Sequence, residues 1–377
     1  MKLALLSAAL CAAVSLSTTA AFAQAGTEDT GASALAKYPL APAAGVDSHS
    51  REKSVKGAVN QGAFNEKTFK FGPRGDAPAG GSVIWNPVMV KMKAGEKVTS
   101  ATDFFSEDPK VYCAMANSGV DFIWTEHQHS PRDWNATAAM WAACPRAKAV
   151  PGVRVAYTDE REEQHALDAG ALVLVVPTVR SIEEGTKARD WAMWPPLGHR
   201  SSGGGQGSSP AFWGQVPGGY RNTFNDNLVL ILMIETLEGL RDSDKIAKLK
   251  GVTAIFAASG DLGNHTGYGQ GDPDYERAIN IVHDSALRAH VRLCGPYAWV
   301  DRPDFTCFQG PGGEGNVPAG GVTPEYAATL EAQGKTALGA LFNTQGKPVA
   351  GPFTPGWSPP APAGRGGRGG RGPAPAQ

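Results

Sequence analysis

The sequence lacks a charge of one sign: 35 Lys and Arg stand against 36 Asp and Glu, for a formal charge of −1. That balance argues against a nucleic-acid binder. Cysteine is scarce, with five in 377 residues. No C-x-x-C occurs, which speaks against a structural zinc site. No G-x-G-x-x-G follows the first apolar run, which weakens a dinucleotide-binding fold. After the first residues, no stretch is long and apolar enough to span a bilayer. What is plentiful is glycine (47) and proline (28), concentrated at the two ends. The folded part is therefore shorter than the chain, and 42% hydrophobic residues supply it with one large core.

Met1 to Ala23 reads as a secretory signal peptide: Lys2 is the positive start, Leu3 to Val14 the apolar stretch, and Ala21-Phe22-Ala23 an A-x-A cleavage site. The expected location is periplasmic or secreted. Leu10 before Cys11 is not the small residue a lipobox wants. Cleavage leaves Cys113, Cys144, Cys294 and Cys307, which allow three pairings that spacing does not choose between. Residues 24–84 form a polar, Gly-rich N-terminal extension. Residues 346–377 form a Pro/Gly/Arg-rich tail carrying Arg365, Arg368 and Arg371 in an RGG rhythm, read as a flexible tail or tether rather than an RNA contact.

Between these ends, residues 85–345 alternate short apolar runs with helical patterns. Strands are expected at Val98–Phe104, Val120–Thr125, Val153–Val155, Leu172–Val176, Leu228–Ile234, Val252–Ala258, Val291–Pro296 and Asp304–Phe308. The runs are continuous and β-branched, as in parallel strands covered on both faces. Eight strands interleaved with helices over roughly 230 residues have the rhythm of an α/β, (β/α)8 TIM barrel. A doubly wound sheet is the competitor. Trp194 to Tyr220 reads as a long loop.

Chemistry in such a fold sits at the C-terminal ends of strands. Glu235 follows the fifth apolar run and Asp261 closes the sixth through Ser259-Gly260, so two carboxylates converge on one edge and suit a hard cation. Both could instead be helix caps. The second run leads into Glu126-His127-Gln128-His129, a candidate base with a carboxylate three residues earlier. His127 and His129 share a side only while the strand stays extended. Arg154 ends the third strand, where a cation suits a substrate carboxylate or oxyanion; a structural salt bridge is the alternative.

These segments resemble the HpcH/HpaI aldolases, metal-dependent class II pyruvate aldolases that include 2-dehydro-3-deoxyglucarate aldolase. The likeness rests on Gly119-Val120-Asp121-Phe122 leading to His129-Ser130-Pro131, on Val153-Arg154-Val155, Leu167-Asp168-Ala169-Gly170 and Pro177, and on Pro195-Pro196-Leu197-Gly198-His199-Arg200, Ile234-Glu235-Thr236 and Asp261-Leu262. The resemblance implies a barrel of the phosphoenolpyruvate/pyruvate type, with Glu235 and Asp261 ligating Mg2+, Mn2+ or Co2+. It implies His129 as catalytic base, with Glu126 where the family has an aspartate, and assigns substrate binding to Arg154, Ser259 and Gly260. The reaction implied is cleavage of a 4-hydroxy-2-oxo acid to pyruvate and an aldehyde through a metal-stabilised enolate. By analogy the protein is a homo-oligomer, a hexamer, in which Pro324 to Leu341 is the exchanged terminal helix.

The chain departs from the family at Gln128 and Met233 and in Ser259-Gly260, and its leader is unusual for mostly cytoplasmic enzymes. Two other readings stand beside the aldolase. One is a lyase or hydrolase acting on another 2-oxo or phosphoenolpyruvate-like acid. The other is an exported barrel that binds without turnover, against which the joint presence of Glu235, Asp261, His129 and Arg154 speaks.

Overall fold

The structure is a computed structural model. It describes residues 84–344 apart from 146, 204–212, 214–215, 311–313 and 315–316. The expected signal peptide and Pro/Gly/Arg tail, and all but residue 84 of the expected extension, lie outside the described residues. A first helix, α1 (Pro87–Ala94), precedes the barrel; Asn86 caps its start and Gly95, in the left-handed region at φ 80°, ends it.

Eight strands follow: β1 (Val98–Asp103), β2 (Phe122–Glu126), β3 (Val150–Arg154), β4 (Val173–Val176), β5 (Val229–Ile234), β6 (Ala254–Ala257), β7 (Arg292–Pro296) and β8 (Phe305–Gln309). They pair in sequence order and close into a barrel, every pairing parallel. β4, β5 and β6 are buried at every position, which is why they read as unbroken apolar runs. β3 is longer than expected. Pro151-Gly152 disguised its first half, yet a side chain at Gly152 would lie 2.7 Å from the Ile123 carbonyl, so only glycine allows β2 and β3 this approach.

The crossover helices are α2 (Pro109–Ala116), α3 (Trp134–Ala142), α4 (Glu160–Ala169), α5 (Ile182–Ala192), α6 (Gly219–Asn227), α7 (Leu237–Ala247), α8 (Ser259–Thr266) and α9 (Pro273–Ala289). A last helix, α10 (Pro324–Thr344), packs on α2 and β1 of its own chain, with Tyr326 and Leu330 buried. Most entries into these helices are capped by a side-chain oxygen: Asp108, Asp133, Asp159, Ser181, Thr236 and Asp272 each accept an N–H of the first turn. These residues are consumed by their helices. α6 falls in a polar stretch that the sequence left unassigned, and α8 begins at Ser259, so Asp261 lies within its first turn rather than at its cap.

Of the three cysteine pairings, the structure forms Cys113–Cys144, with 5.5 Å between Cα atoms. Cys294 and Cys307 are free and buried, as neighbours across β7 and β8. Among the described residues no helix is long and apolar enough to cross a membrane.

Candidate active site

The register assembles the site. Trp124 of β2 meets Phe256 of β6 with ring centroids 5.6 Å apart, so Trp124 points into the barrel. Glu126, two residues on, points the same way at the mouth. Its partner across the sheet is Arg154. Arg154 Nε and Nη2 donate to Glu126 Oε2 at 2.7 and 2.5 Å. Trp124 Nε1 donates to the same oxygen at 3.3 Å, and its ring lies 5.6 Å beneath the guanidinium. Glu126 Oε1 accepts the backbone N–H groups of Gln128 and His129 at 2.6 and 3.2 Å. Both oxygens of this fully buried carboxylate are taken.

Glu235 directly follows β5 and is 2% exposed. The capping reading fails for it, because Thr236 is the cap of α7. Its partner is Thr178, just past β4, whose backbone N–H and Oγ1 both donate to Glu235 Oε1, at 2.5 and 2.7 Å. Thr178 sits at φ 53°. That left-handed conformation strains a β-branched residue by about 1–3 kcal/mol. Glu235 Oε2 is buried with no hydrogen-bond partner. Burial raises the Glu235 pKa above the usual carboxylate range, and the charge of Asp261 adds to this; the Thr178 bonds and Arg154 oppose it. Those mutual effects place Asp261 and Arg154 within electrostatic reach of Glu235.

Asp261 lies in the first turn of α8, which has no side-chain cap. The N–H groups of Ser259 and Gly260 open that turn and have no partner within the helix. A side chain at Gly260 would meet nothing within 4 Å, so the backbone there borders open space. An uncapped helix start at a barrel mouth favours an anion.

The two histidines part company because β2 ends at Glu126. His127 turns outward, is buried, stacks on Trp134 at 4.0 Å and shares a hydrogen bond with Thr137 Oγ1 at 2.8 Å. Burial, then the nearby Arg132 charge, lowers its pKa to about 4, so it is a packing residue. His129 is exposed. Its contact with the Glu126 carboxylate runs through its backbone N–H, and among the described residues its ring makes no hydrogen bond. The sequence reading gave no role in the site to Trp124, Gln128 or Thr178. For Trp124 a signal existed, since strand alternation puts it on the face of Glu126. Thr178 carried none.

The donor set fits a hard divalent cation: two carboxylates, one with an orphaned buried oxygen. Among the described residues no group of three or more His, Cys, Asp or Glu converges. A cation held by Glu235 and Asp261 alone would keep positions open for water and substrate oxygens.

Fold and rim together define a parallel (β/α)8 barrel with acidic and cationic groups gathered at the C-terminal ends of its strands. The chain belongs to the HpcH/HpaI aldolase/citrate lyase family, whose profile matches residues 104–300, more than half of its length. It is 28% identical over 193 residues to a hydroxypyruvate/pyruvate aldolase of Roseovarius nubinhibens, covering 51% of this chain and 73% of that one. Over 171 residues it is 28% identical to a 4-hydroxy-2-oxo-heptane-1,7-dioate aldolase of Klebsiella pneumoniae, covering 45% and 63%. The crystal structure of an HpcH/HpaI aldolase from Desulfitobacterium hafniense shares the fold, with a TM-score of 0.53 and 22% identity over 69% of this chain and 98% of that one.

Proposed function

We propose that the protein is a divalent-metal-dependent aldolase that cleaves a 4-hydroxy-2-oxo acid into pyruvate and an aldehyde. The observation that carries this reading is the Glu235 carboxylate, pinned through one oxygen by Thr178 while the other is buried without a partner, within reach of Asp261 and Arg154. The named activities of the relatives support the same chemistry.

Glu235 and Asp261 would hold Mg2+, Mn2+ or Co2+, which supplies Lewis acidity to the 2-oxo group when bound. Arg154, fixed in direction by Glu126 and Trp124, faces the negative charge that develops on the 2-oxo oxygen as the C3–C4 bond breaks. The Ser259 and Gly260 N–H groups at the open start of α8 suit the substrate carboxylate. His129 takes the 4-hydroxyl proton, the aldehyde leaves, and the bond's electron pair stays with the pyruvate unit, which then gains a proton at C3.

Pyruvate methyl exchange in D2O tests this reading. With Mn2+ present, and removed by chelation before the NMR measurement, the wild-type protein exchanges the methyl protons. Absence of exchange under every divalent metal overturns the aldolase. Export and self-association belong to the same proposal. The Cys113–Cys144 disulfide supports an oxidising compartment, and N-terminal sequencing of the secreted protein should begin at Gln24. Light scattering should return a homo-oligomer, with a hexamer expected.

A further inference from the structure

Thr178 joins the two halves of the site. Its backbone N–H and its hydroxyl both donate to Glu235 Oε1. With its proton so committed, the hydroxyl oxygen accepts the Gln128 side-chain amide in a long contact of 3.5 Å. Gln128 in turn donates its backbone N–H to Glu126. A connected path thus runs from Arg154 through Glu126, Gln128 and Thr178 to Glu235.

The backbone at Thr178 is in the left-handed region at φ 53°, although Val-Pro-Thr-Val offers no residue suited to it. The φ torsion turns Cβ about the N–Cα bond, so this conformation sets where Oγ1 lies relative to the N–H of the same residue, and both meet Glu235 Oε1. The strain is thus tied to the aim of two donors at one oxygen, and local strain of this kind gathers at ligand clamps. With Oε1 doubly held, Glu235 cannot rotate freely, and Oε2 stays buried with no protein partner. Nothing else among the described hydrogen bonds of Glu235 fixes it.

We infer that Thr178 is a positioning residue for the cation: it locks Glu235 through Oε1 so that Oε2 is presented to a divalent metal. This rests on the reading of Glu235 and Asp261 as the metal ligands. Residues that orient ligands in this way typically change metal affinity 10- to 100-fold when removed.

The test is direct Mn2+ binding to the full chain, read from the electron spin resonance signal of free Mn2+ without any turnover. Thr178→Val keeps shape, β-branching and the N–H but loses the hydroxyl; its Kd for Mn2+ should rise about tenfold. Thr178→Ser should bind within about threefold of wild type, which is the rescue a merely structural role would not produce. Thr178→Gly releases the backbone and removes the hydroxyl; it should bind as weakly as Thr178→Val or more weakly, while melting no lower than wild type in chelator. Wild-type affinity in both Thr178→Val and Thr178→Gly overturns the role of Thr178 alone. Failure of the wild-type chain to bind Mn2+, or undiminished binding in Asp261→Asn, overturns the metal reading and this inference with it.

Discussion

Glu126 and Glu235 are both buried glutamates at strand ends, on the same face of the same barrel, and they are satisfied in opposite ways. Glu126 is closed: Arg154 and Trp124 take one oxygen and two backbone N–H groups take the other. Glu235 is half open: Thr178 takes one oxygen and the other has no partner, and the charge of a second acid, Asp261 of α8, acts on it more strongly than the opposing charge of Arg154. A closed carboxylate fixes the direction of its neighbours. An open one stores an unmet demand for positive charge, the demand that the proposed cation would answer.

The largest expected effects separate these roles by sign. Glu235→Gln and Asp261→Asn should each reduce methyl exchange by at least about a thousandfold, because a neutral amide is a poor partner for a hard cation. Yet Glu235→Gln should leave the chelator-treated protein as stable as wild type or more so, since it removes a buried carboxylate whose ionisation burial disfavours. Glu126→Gln should do the reverse to stability. It strands the Arg154 guanidinium beside a neutral group, and breaking a buried pair costs about 3–5 kcal/mol. Calorimetry on the two variants checks the contrast; a Glu235→Gln that melts well below Glu126→Gln would erase it.

Much of this rim was readable beforehand because it follows from alternation. Uninterrupted runs such as Leu228–Ile234 announce buried parallel strands, and residues just past them must reach the mouth. Glu235, Asp261 and Arg154 were read as rim residues that way. What escaped depended on groups meeting from distant strands. Thr178 follows Pro177 in a β-favouring stretch, and its left-handed backbone goes with bonds to Glu235, 57 residues away. α6 (Gly-Tyr-Arg-Asn-Thr-Phe-Asn-Asp-Asn) has weak helix propensity; Tyr220 and Phe224 hold it by packing on Trp194. α8 contains two glycines and lacks a side-chain cap, so no local signal marked its start. His127 and His129 looked equivalent until the end of β2 sent one into the packing and the other to the surface.

A smaller effect tests the support behind the closed half. The His127 pKa is lowered from 6.5 to about 4. Between those values the unfolded chain takes up a proton that the folded protein refuses, so stability falls as pH drops from about 6.5 to about 4. His127→Gln, which can still bond Thr137, should flatten that loss. The difference should be roughly 2–3 kcal/mol at the acid end and vanish above about pH 7. Urea melts across that range measure it. Methyl exchange at neutral pH should be unchanged, because His127 faces away from the mouth.

The smallest effect concerns Trp124, the floor beneath Arg154. Trp124→Phe keeps an aromatic face under the guanidinium but removes the Nε1 donor to Glu126 Oε2, a bond of 3.3 Å. Arg154 still donates twice to that oxygen, so the carboxylate is not orphaned. The lost bond should cost about 1 kcal/mol of stability. Mn2+ affinity should stay within about twofold of wild type, since the open half keeps Thr178, Glu235 and Asp261 intact. If Glu126 and Arg154 act as one closed unit, the apparent KM for the 2-oxo acid should rise a few-fold while the metal dependence does not move. A matched loss in both would show that the halves are not separate, and that the hydrogen-bond path through Gln128 and Thr178 carries strain from one to the other.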